Sequence, residues 1–221
     1  MKYKTVIFDM DGTILNTLDD LCDATNYSLK HFEMPEHTID EIRMFVGNGI
    51  KKLIERACPQ NTSESKINEV FEFFMKYYSE HSAVKTASYP GIMELVSELK
   101  KAGIKTAVST NKANGPAQDL GKKYFNGIFD LIIGQKEGLN IKPAPDSIYE
   151  ILKILKTDKK DAVYIGDSDI DFMTAKNSGL DFIGVTWGFR GRSFLENLGT
   201  KTIVDSTEEI MKIIIVNHYL K

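Results

Sequence analysis

The chain has 221 residues, which is more than one domain of about 150 residues and less than two. Apolar residues make up 42% and charged residues 27%, ordinary values for globular proteins that exclude the collagen-like, disordered and disulfide-scaffold classes. The 28 basic and 31 acidic side chains give a net charge of −3, so the overall charge does not favour binding to nucleic acid or to an anionic membrane.

The first predicted element is a short buried strand over residues 5 to 8. A helical segment over residues 17 to 87 follows it and contains no convincing strand. Apolar side chains recur at helical spacing over residues 21 to 32 and 67 to 78, and Ser63 is a predicted N-cap for the second of these stretches. The sequence therefore predicts a small helical domain inserted after the first strand.

After residue 88, short apolar runs alternate with helical patterns, which indicates a parallel sheet covered by helices. The predicted strands cover residues 105 to 108, 129 to 133, 162 to 165 and 182 to 185. The predicted helices cover residues 92 to 99, 113 to 124, 146 to 156, 169 to 178 and 207 to 219, with Asp146 and Ser206 as N-caps. The predicted fold is therefore α/β, with a doubly wound, Rossmann-like core at residues 1 to 16 and 88 to 221 and the helical domain at 17 to 87.

Four polar clusters accompany the predicted strands, and the first directly follows residues 5 to 8. In an open parallel sheet, residues beyond the carboxyl ends of different strands converge on one crevice. Asp9 and Asp11 are separated by one residue, and two such carboxylates repel each other unless a cation or a proton is present. Hard oxygen ligands of this kind suit Mg²⁺. The alternative is an Asp-Gly turn that begins a hairpin, although residues 16 to 20 resemble a helix start rather than a returning strand.

The second and third clusters carry groups that suit a phosphate. Thr110 and Asn111, within residues 108 to 112, place a hydroxyl and an amide at a strand end, where they could bind a phosphate oxygen or cap the next helix. Lys142 precedes Pro143 and is interpreted either as a fixed counter-charge or as a solvated surface lysine.

The fourth cluster places Asp167, Asp169 and Asp171 after a strand and Gly166. It is interpreted as a second wall of a metal site, or as a solvated acidic helix start. Together, and in this order, the four clusters supply a nucleophile, phosphate ligands, charge neutralisation and metal ligands. We therefore favour the functional interpretation of each cluster.

This ordered set resembles the four motifs of the haloacid dehalogenase superfamily of phosphotransferases: FDMDGT at 8 to 13, VSTNK at 108 to 112, KP at 142 to 143 and GDSDID at 166 to 171. The resemblance extends over the whole chain. It implies that Asp9 is the nucleophile that forms an aspartyl-phosphate. It also implies that Asp11 is the general acid and base, and an acid at this position favours phosphate chemistry over carbon–halogen cleavage.

The same resemblance implies the ligands of the metal and of the phosphate. Mg²⁺, the expected cofactor, would be held by Asp9, the main-chain carbonyl of Asp11 and Asp167, with Asp171 in support. The transferring phosphoryl group would be bound by Gly12, Thr110, Asn111 and Lys142.

The inserted domain at residues 17 to 87 corresponds to the helical cap domain of this superfamily, and residues 45 to 57 resemble the cap of phosphoglycolate phosphatases. Gly47, Asn48 and Gly49 are predicted substrate contacts, because backbone amides beside the glycines could bind a small carboxylate; the alternative is a loop that enters a helix. The resemblance implies a Mg²⁺-dependent phosphatase of small-molecule phosphate monoesters, with 2-phosphoglycolate as the best candidate substrate.

Other functions stay open on the same core, namely a sugar-phosphate mutase of the beta-phosphoglucomutase kind, a pyrophosphatase or a 5′-nucleotidase. A different class is a receiver-like phosphoacceptor signalling module, which also uses Asp, Thr and Lys with Mg²⁺. The acceptor aspartate of a receiver follows a middle strand, whereas Asp9 follows the first. The signalling interpretation is therefore disfavoured.

Cys22 and Cys58 form no CxxC motif and are predicted to be reduced core residues. The N-terminus reaches carboxylates after three apolar residues, too few for a signal sequence, and the apolar run at residues 210 to 216 is too short to span a bilayer. We therefore expect a cytoplasmic protein, a monomer or a homodimer, whose partner is a small-molecule phosphate rather than nucleic acid or a membrane.

Overall fold

Eight strands are present in the computed structural model, which describes residues 3 to 215. They are β1 Thr5–Phe8, β2 Leu15–Asn16, β3 Ala87–Ser88, β4 Lys105–Ala113, β5 Leu131–Gln135, β6 Ala162–Gly166, β7 Asp181–Val185 and β8 Ile203–Val204. Six of them form a parallel sheet in the order β5-β4-β1-β6-β7-β8, and β2 pairs with β3. The predicted α/β class with a parallel sheet is confirmed.

Ten α-helices lie within the described residues. Four precede β3: α1 Leu18–His31, α2 Ile39–Phe45, α3 Ile50–Ala57 and α4 Glu64–His81. The other six alternate with the later strands: α5 Ile92–Lys101, α6 Asn114–Phe125, α7 Asp146–Leu155, α8 Asp169–Ser178, α9 Arg192–Asn197 and α10 Thr207–Ile214.

Strand β1 lies between β4 and β6 inside the sheet, and all four of its residues are buried. Its register places Phe8 beside Val108 of β4 and beside Ile165 of β6. Apolar runs of this kind suit a strand that is covered on both faces of a parallel sheet. The last residues of β1 and β6 therefore end at the same edge, where the polar clusters follow.

Two predicted strands differ from the observed ones by more than one residue at an end. The predicted strand at 129 to 133 is observed at Leu131–Gln135, because Phe129 packs its ring edge-on against Phe8 and Phe125, with ring centroids 5.9 and 5.2 Å apart. Strand β4 continues to Ala113 instead of ending at residue 108, and its pairing with β5 becomes irregular after Ser109.

Predicted helix ends were correct at some positions and wrong at others. Helix α8 has the predicted bounds, and Ser63 caps α4 by accepting a hydrogen bond from the Lys66 N–H at 3.3 Å. The predicted N-cap Asp146 is wrong: Pro145 occupies that position, and the Asp146 carboxylate accepts hydrogen bonds from Asn140 instead.

The C-terminal helix α10 begins after Ser206, which occupies the predicted N-cap position but forms no side-chain cap bond. The helix ends at Ile214, short of the predicted residue 219, and residues 216 to 221 lie outside the described part of the chain. Among residues 3 to 215, none of the helices combines the length and apolar character that crossing a membrane requires.

The chain divides into two units, one formed by Asn16–Ala87 and the other by the residues before and after it. The first of these contains α1 to α4, and its core includes Leu21, Leu29, Val70 and Phe74. The assignment of the two units to a cap and a core domain stays a prediction.

Both cysteines carry free thiols, but only one of them lies in a core. Cys58 is buried as predicted, whereas Cys22 is half-buried, with its sulfur 3.7 Å from the Asn26 side-chain nitrogen. The predicted core position of Cys22 is therefore wrong, because this part of α1 is accessible on one side.

Candidate active site

The carboxyl ends of β1, β4 and β6 bring three of the predicted clusters together in one unit of the chain. Asp9 directly follows β1, Thr110 and Asn111 lie in the second half of β4, and Asp167 directly follows β6. The remaining cluster, the third in the sequence, lies in the loop before α7 and contributes Lys142. Parallel strands end at a common edge, so these polar groups become neighbours although more than 150 positions separate the first from the last.

Lys142 is the centre of the site. Its Nζ donates to Asp9 Oδ1 at 2.6 Å, to Asp171 Oδ1 at 2.8 Å and to the Tyr164 hydroxyl at 2.9 Å. Its side chain is only 4% exposed. Burial lowers the pKa of Lys142, but the carboxylates of Asp171 and Asp9 outweigh burial and hold the pKa well above its ordinary value. The burial of the side chain excludes the alternative of a solvated surface lysine, and the raised pKa favours the charged ammonium.

The backbone of Lys142 is held by Asn111. The Asn111 Nδ2 donates to the Lys142 carbonyl at 3.1 Å, and the Lys142 N–H donates to Asn111 Oδ1 at 2.8 Å. This pair of bonds fixes the loop that carries the ammonium. The structure thus shows Asn111 as a residue that positions Lys142, while its predicted contact with a phosphoryl group stays a prediction.

Tyr164 and Ser168 complete the network below Lys142. The Tyr164 hydroxyl lies 3.2 Å from the Ser109 carbonyl and 3.2 Å from Asp171 Oδ1. Ser168 is the N-cap of α8: its Oγ lies 2.6 Å from Asp171 Oδ2, and it accepts the Asp171 N–H. Because both oxygens of Asp171 are engaged, its carboxylate is held in one orientation.

Three buried carboxylates could hold a metal ion. Asp9, Asp167 and Asp171 each offer one oxygen, and these oxygens all lie within 4.8 Å of one another. Burial and then the charge of Asp171 raise the pKa of Asp167 to about 7, and the same two causes raise the pKa of Asp9 well above its usual range. A divalent cation would favour the ionised forms, so this donor set fits a hard cation such as Mg²⁺.

Small residues allow the Asp167 carboxylate to approach the first cluster. Its Oδ2 accepts the Phe189 N–H at 2.7 Å. A Cβ on Gly12, which has φ +88°, would lie 2.6 Å from Asp167 Oδ2, and a Cβ on Gly188 would lie 2.3 Å from Asp167 Cβ. The Gly12 N–H donates to the Leu15 carbonyl at 2.8 Å, so the predicted contact of Gly12 with a phosphate stays a prediction.

Asp11 has its own buried counter-ion, Lys112. The Lys112 Nζ lies 3.2 Å from Asp11 Oδ1, and the lysine side chain is 4% exposed against 18% for the aspartate. The Lys112 N–H donates to the Thr110 hydroxyl oxygen at 3.1 Å. The two predicted catalytic aspartates are therefore each paired with a different lysine.

A family model for haloacid dehalogenase-like hydrolases matches residues 6 to 185. The chain belongs to this family. It is 31% identical over 191 residues to the phosphoglycolate phosphatase of Aquifex aeolicus, covering 84% of this chain and 86% of that protein. It is 25% identical over 216 residues to the pyrophosphatase PpaX of Bacillus mycoides, covering 97% and 98% of the two chains.

A solved structure is similar to this hydrolase throughout. The crystal structure of a candidate phosphoglycolate phosphatase from Lactobacillus delbrueckii subsp. bulgaricus superposes with a TM-score of 0.93 at 38% identity. The similarity covers 97% of this chain and 99% of that one. Fold and family are therefore shared over both units of the hydrolase.

Several residues of the site were missed at the sequence level. Tyr164 belongs to an apolar strand and carries no motif signal, and Gly188 lies outside the four clusters. Lys112 is the last residue of the second motif, and the motif resemblance gives it no role of its own. A possible signal for Ser168 was its place three residues before Asp171, the spacing of a capping box.

Gly47, Asn48 and Gly49 lie in the other unit of the hydrolase, between α2 and α3. Gly49 is the N-cap of α3 with φ +82°, and Asn48 Oδ1 accepts a hydrogen bond from Arg56 at 2.7 Å. These are contacts of a loop that enters a helix. Their predicted contact with substrate stays a prediction.

Proposed function

We propose that this hydrolase is a Mg²⁺-dependent phosphatase that cleaves small-molecule phosphate monoesters through an aspartyl-phosphate on Asp9. The observation that carries the proposal is the position of Asp9 Oδ1, 2.6 Å from the Lys142 ammonium and within 4.8 Å of oxygens of Asp167 and Asp171. A carboxylate in this setting has its negative charge compensated and is directed by fixed partners. Family membership and relatives named as phosphatases support the same activity.

The reaction has two steps in this proposal. An Asp9 oxygen forms a bond to phosphorus while the bond from phosphorus to the leaving oxygen breaks, and Asp11 gives its proton to that oxygen. Asp11 then takes a proton from water, the water oxygen forms a bond to phosphorus while the bond from phosphorus to the Asp9 oxygen breaks, and inorganic phosphate leaves with Asp9 regenerated as a carboxylate. Two moderate barriers replace one high barrier.

The residues around Asp9 stabilise charge during both steps. The Lys142 ammonium donates a hydrogen bond to Asp9 Oδ1, and Thr110 offers a buried hydroxyl on β4. Mg²⁺, held by Asp9, Asp167, Asp171 and the carbonyl of Asp11, would neutralise charge on the phosphoryl oxygens when bound. Asn111 and Tyr164 hold Lys142, so its ammonium is already oriented before the substrate binds.

The preferred substrate in this proposal is 2-phosphoglycolate, since the Aquifex and Lactobacillus relatives carry that name. Pyrophosphate is a second candidate because the PpaX relatives match 97% of the chain. A cytoplasmic location, as expected from the sequence, is part of this proposal.

The first test is phosphate release across a panel of esters with Mg²⁺, repeated with Asp9→Asn. The panel holds 2-phosphoglycolate, pyrophosphate, glucose phosphates and nucleoside monophosphates. We expect Asp9→Asn to lose about a thousand-fold or more in kcat/KM with an unchanged circular dichroism spectrum, because the amide cannot act as the nucleophile.

Asp119→Asn is the matched control, since Asp119 is exposed on α6, away from the site. It should keep wild-type activity. Full activity of Asp9→Asn would disprove the role of Asp9, and conversion of a sugar phosphate without phosphate release would favour a mutase.

A further inference from the structure

The site contains two buried lysines that pair with different aspartates. Lys112 and Lys142 are the only lysines that are buried within residues 3 to 215. Lys142 pairs with Asp9 and Asp171, whereas Lys112 pairs with Asp11 at 3.2 Å. The reaction proposed above uses the first lysine, at the nucleophile. It gives no task to the second.

We propose that the Lys112 ammonium binds a second anionic group, carried by the leaving group of the substrate. This inference rests on the proposed function and names its substrate class: phosphate esters or anhydrides whose leaving group bears its own negative charge. A carboxylate on a phosphorylated hydroxy acid and the outer phosphate of pyrophosphate both belong to this class.

The place of Lys112 follows from the role of Asp11. Asp11 protonates the leaving oxygen, so the leaving group lies against the Asp11 carboxylate when the bond breaks. The Lys112 Nζ is 3.2 Å from that carboxylate, which brings an anionic substituent on the leaving group within reach of the ammonium. The Lys142 ammonium contacts Asp9 instead, the residue that attacks phosphorus from the side away from the leaving oxygen in the proposed reaction.

Charge gives a second reason. Asp9, Asp167 and Asp171 are already clustered, with Asp11 two residues beyond Asp9, and these carboxylates would repel a further anion on the leaving group. A buried ammonium offsets this repulsion more strongly than an exposed one, because little water screens it. A neutral leaving group would gain nothing from the ammonium, so Lys112 would discriminate between the two kinds of ester.

Lys112 is also fixed in space. It lies in the last part of β4, where its N–H donates to the Thr110 hydroxyl oxygen at 3.1 Å. An ammonium on a strand of the central sheet is held more precisely than one on a loop. Asp11 and Lys112 come from β1's end and from β4, neighbouring strands of that sheet.

The competing account is that Lys112 only positions Asp11. In that case its removal would lower kcat for every substrate by the same factor, whatever the leaving group carries. Binding of a second anion predicts a loss that depends on the charge of the leaving group. The two accounts therefore predict different ratios of kcat/KM between substrates with a charged and with a neutral leaving group.

The experiment compares 2-phosphoglycolate with its neutral amide, phosphoglycolamide, and pyrophosphate with ethyl phosphate. kcat/KM is measured for the wild type, Lys112→Met, Lys112→Arg and the control Lys122→Met, whose lysine is exposed on α6. We expect Lys112→Met to reduce the preference for the charged member of each pair by about ten-fold or more. Lys112→Arg should keep most of the preference, and Lys122→Met all of it.

An equal loss for charged and neutral substrates in Lys112→Met would overturn the inference and leave the phosphatase intact. If Lys112→Met does not fold, the wild type still decides, because a wild-type ratio of kcat/KM near one for 2-phosphoglycolate over its amide would also overturn it. Absence of phosphate release from every compound by the wild type would instead overturn the proposed function itself.

Discussion

At the scale of single residues, the site depends on how Lys142 is held. The ammonium contacts three oxygen atoms, and one of them belongs to a tyrosine whose side chain is fully buried in β6. The Tyr164 hydroxyl links Lys142 to the backbone of β4 through the Ser109 carbonyl. A substitution that removes the Tyr164 hydroxyl therefore also affects the position of the Lys142 ammonium.

We predict that Tyr164→Phe lowers the free energy of unfolding by about 1 to 3 kcal/mol, because it leaves buried polar partners without the hydroxyl. It should also reduce kcat, since Lys142 loses a contact that orients it. Urea denaturation and steady-state kinetics measure the two effects. Tyr149→Phe is the control. Because Tyr149 is 41% exposed, loss of its hydroxyl should change the free energy of unfolding by at most about 0.5 kcal/mol. Equal effects of the two changes would contradict the prediction.

Residues of this site could be found in the sequence where chemistry and position coincide. Asp9 and Asp167 are acids placed directly after apolar strands, so the sheet rule alone brings them together. The role of Tyr164 could not be predicted, because a tyrosine in an apolar strand can serve in packing as well as in hydrogen bonding. The hydrogen bonds of Asn111 to the backbone of Lys142 depend on the path of a loop, which local sequence does not determine.

At the scale of elements, two helices of Asn16–Ala87, α2 and α4, begin at residues whose side chains cap the helix. Helix α4 begins at a serine that accepts a backbone N–H, and α2 begins with a capping box in which Thr38 and Glu41 exchange hydrogen bonds. Each cap satisfies N–H groups that have no partner inside the helix. Of these two caps, only the one at Ser63 was predicted from the sequence, and the predicted cap residue Ser206 forms no side-chain cap bond.

We predict that Ser63→Ala destabilises the protein by about 1 kcal/mol, because α4 loses the acceptor for the Lys66 N–H. Ser65→Ala is the matched control: the same substitution two residues later lies inside the helix, where alanine is favoured, so stability should stay equal or rise slightly. Thermal unfolding of both variants provides the measurement. A loss in Ser65→Ala as large as in Ser63→Ala would show that the cap bond is not the cause.

Boundaries that depend on packing were less predictable than caps. Strand β5 begins two residues later than predicted, because Phe129 forms buried aromatic contacts and is not part of the strand. Strand β4 ends later than predicted. Its polar residues resemble a helix start in the sequence, but they continue the strand as far as Ala113. Both differences come from contacts between distant segments, and local patterns do not contain them.

At the scale of the whole molecule, the unit that contains the sheet carries all the acids and lysines of the proposed reaction. Its three clustered carboxylates repel one another in the metal-free protein, and burial adds to that cost. A cation that binds only the folded chain would stabilise it by mass action.

We therefore predict that Mg²⁺ raises the melting temperature of the wild type. At a concentration of about 100 times Kd, the gain in free energy of unfolding is about 2.7 kcal/mol. Asp167→Asn should abolish the gain, because the site loses one of its three carboxylates, while Asp119→Asn on α6 should keep it. Differential scanning calorimetry with and without EDTA measures these shifts. An equal Mg²⁺ effect in Asp167→Asn and wild type would show that the ion binds elsewhere.

The covalent intermediate on Asp9 is the most direct test of the central claim. The enzyme is mixed with Mg²⁺ and its best substrate, quenched in acid during turnover and treated with borohydride, which reduces an acyl phosphate to the alcohol. Peptide mass spectrometry should then find residue 9 converted to homoserine, only when substrate and Mg²⁺ are both present. Phosphate release without any modified residue 9, or with the modification at another aspartate, would contradict the account.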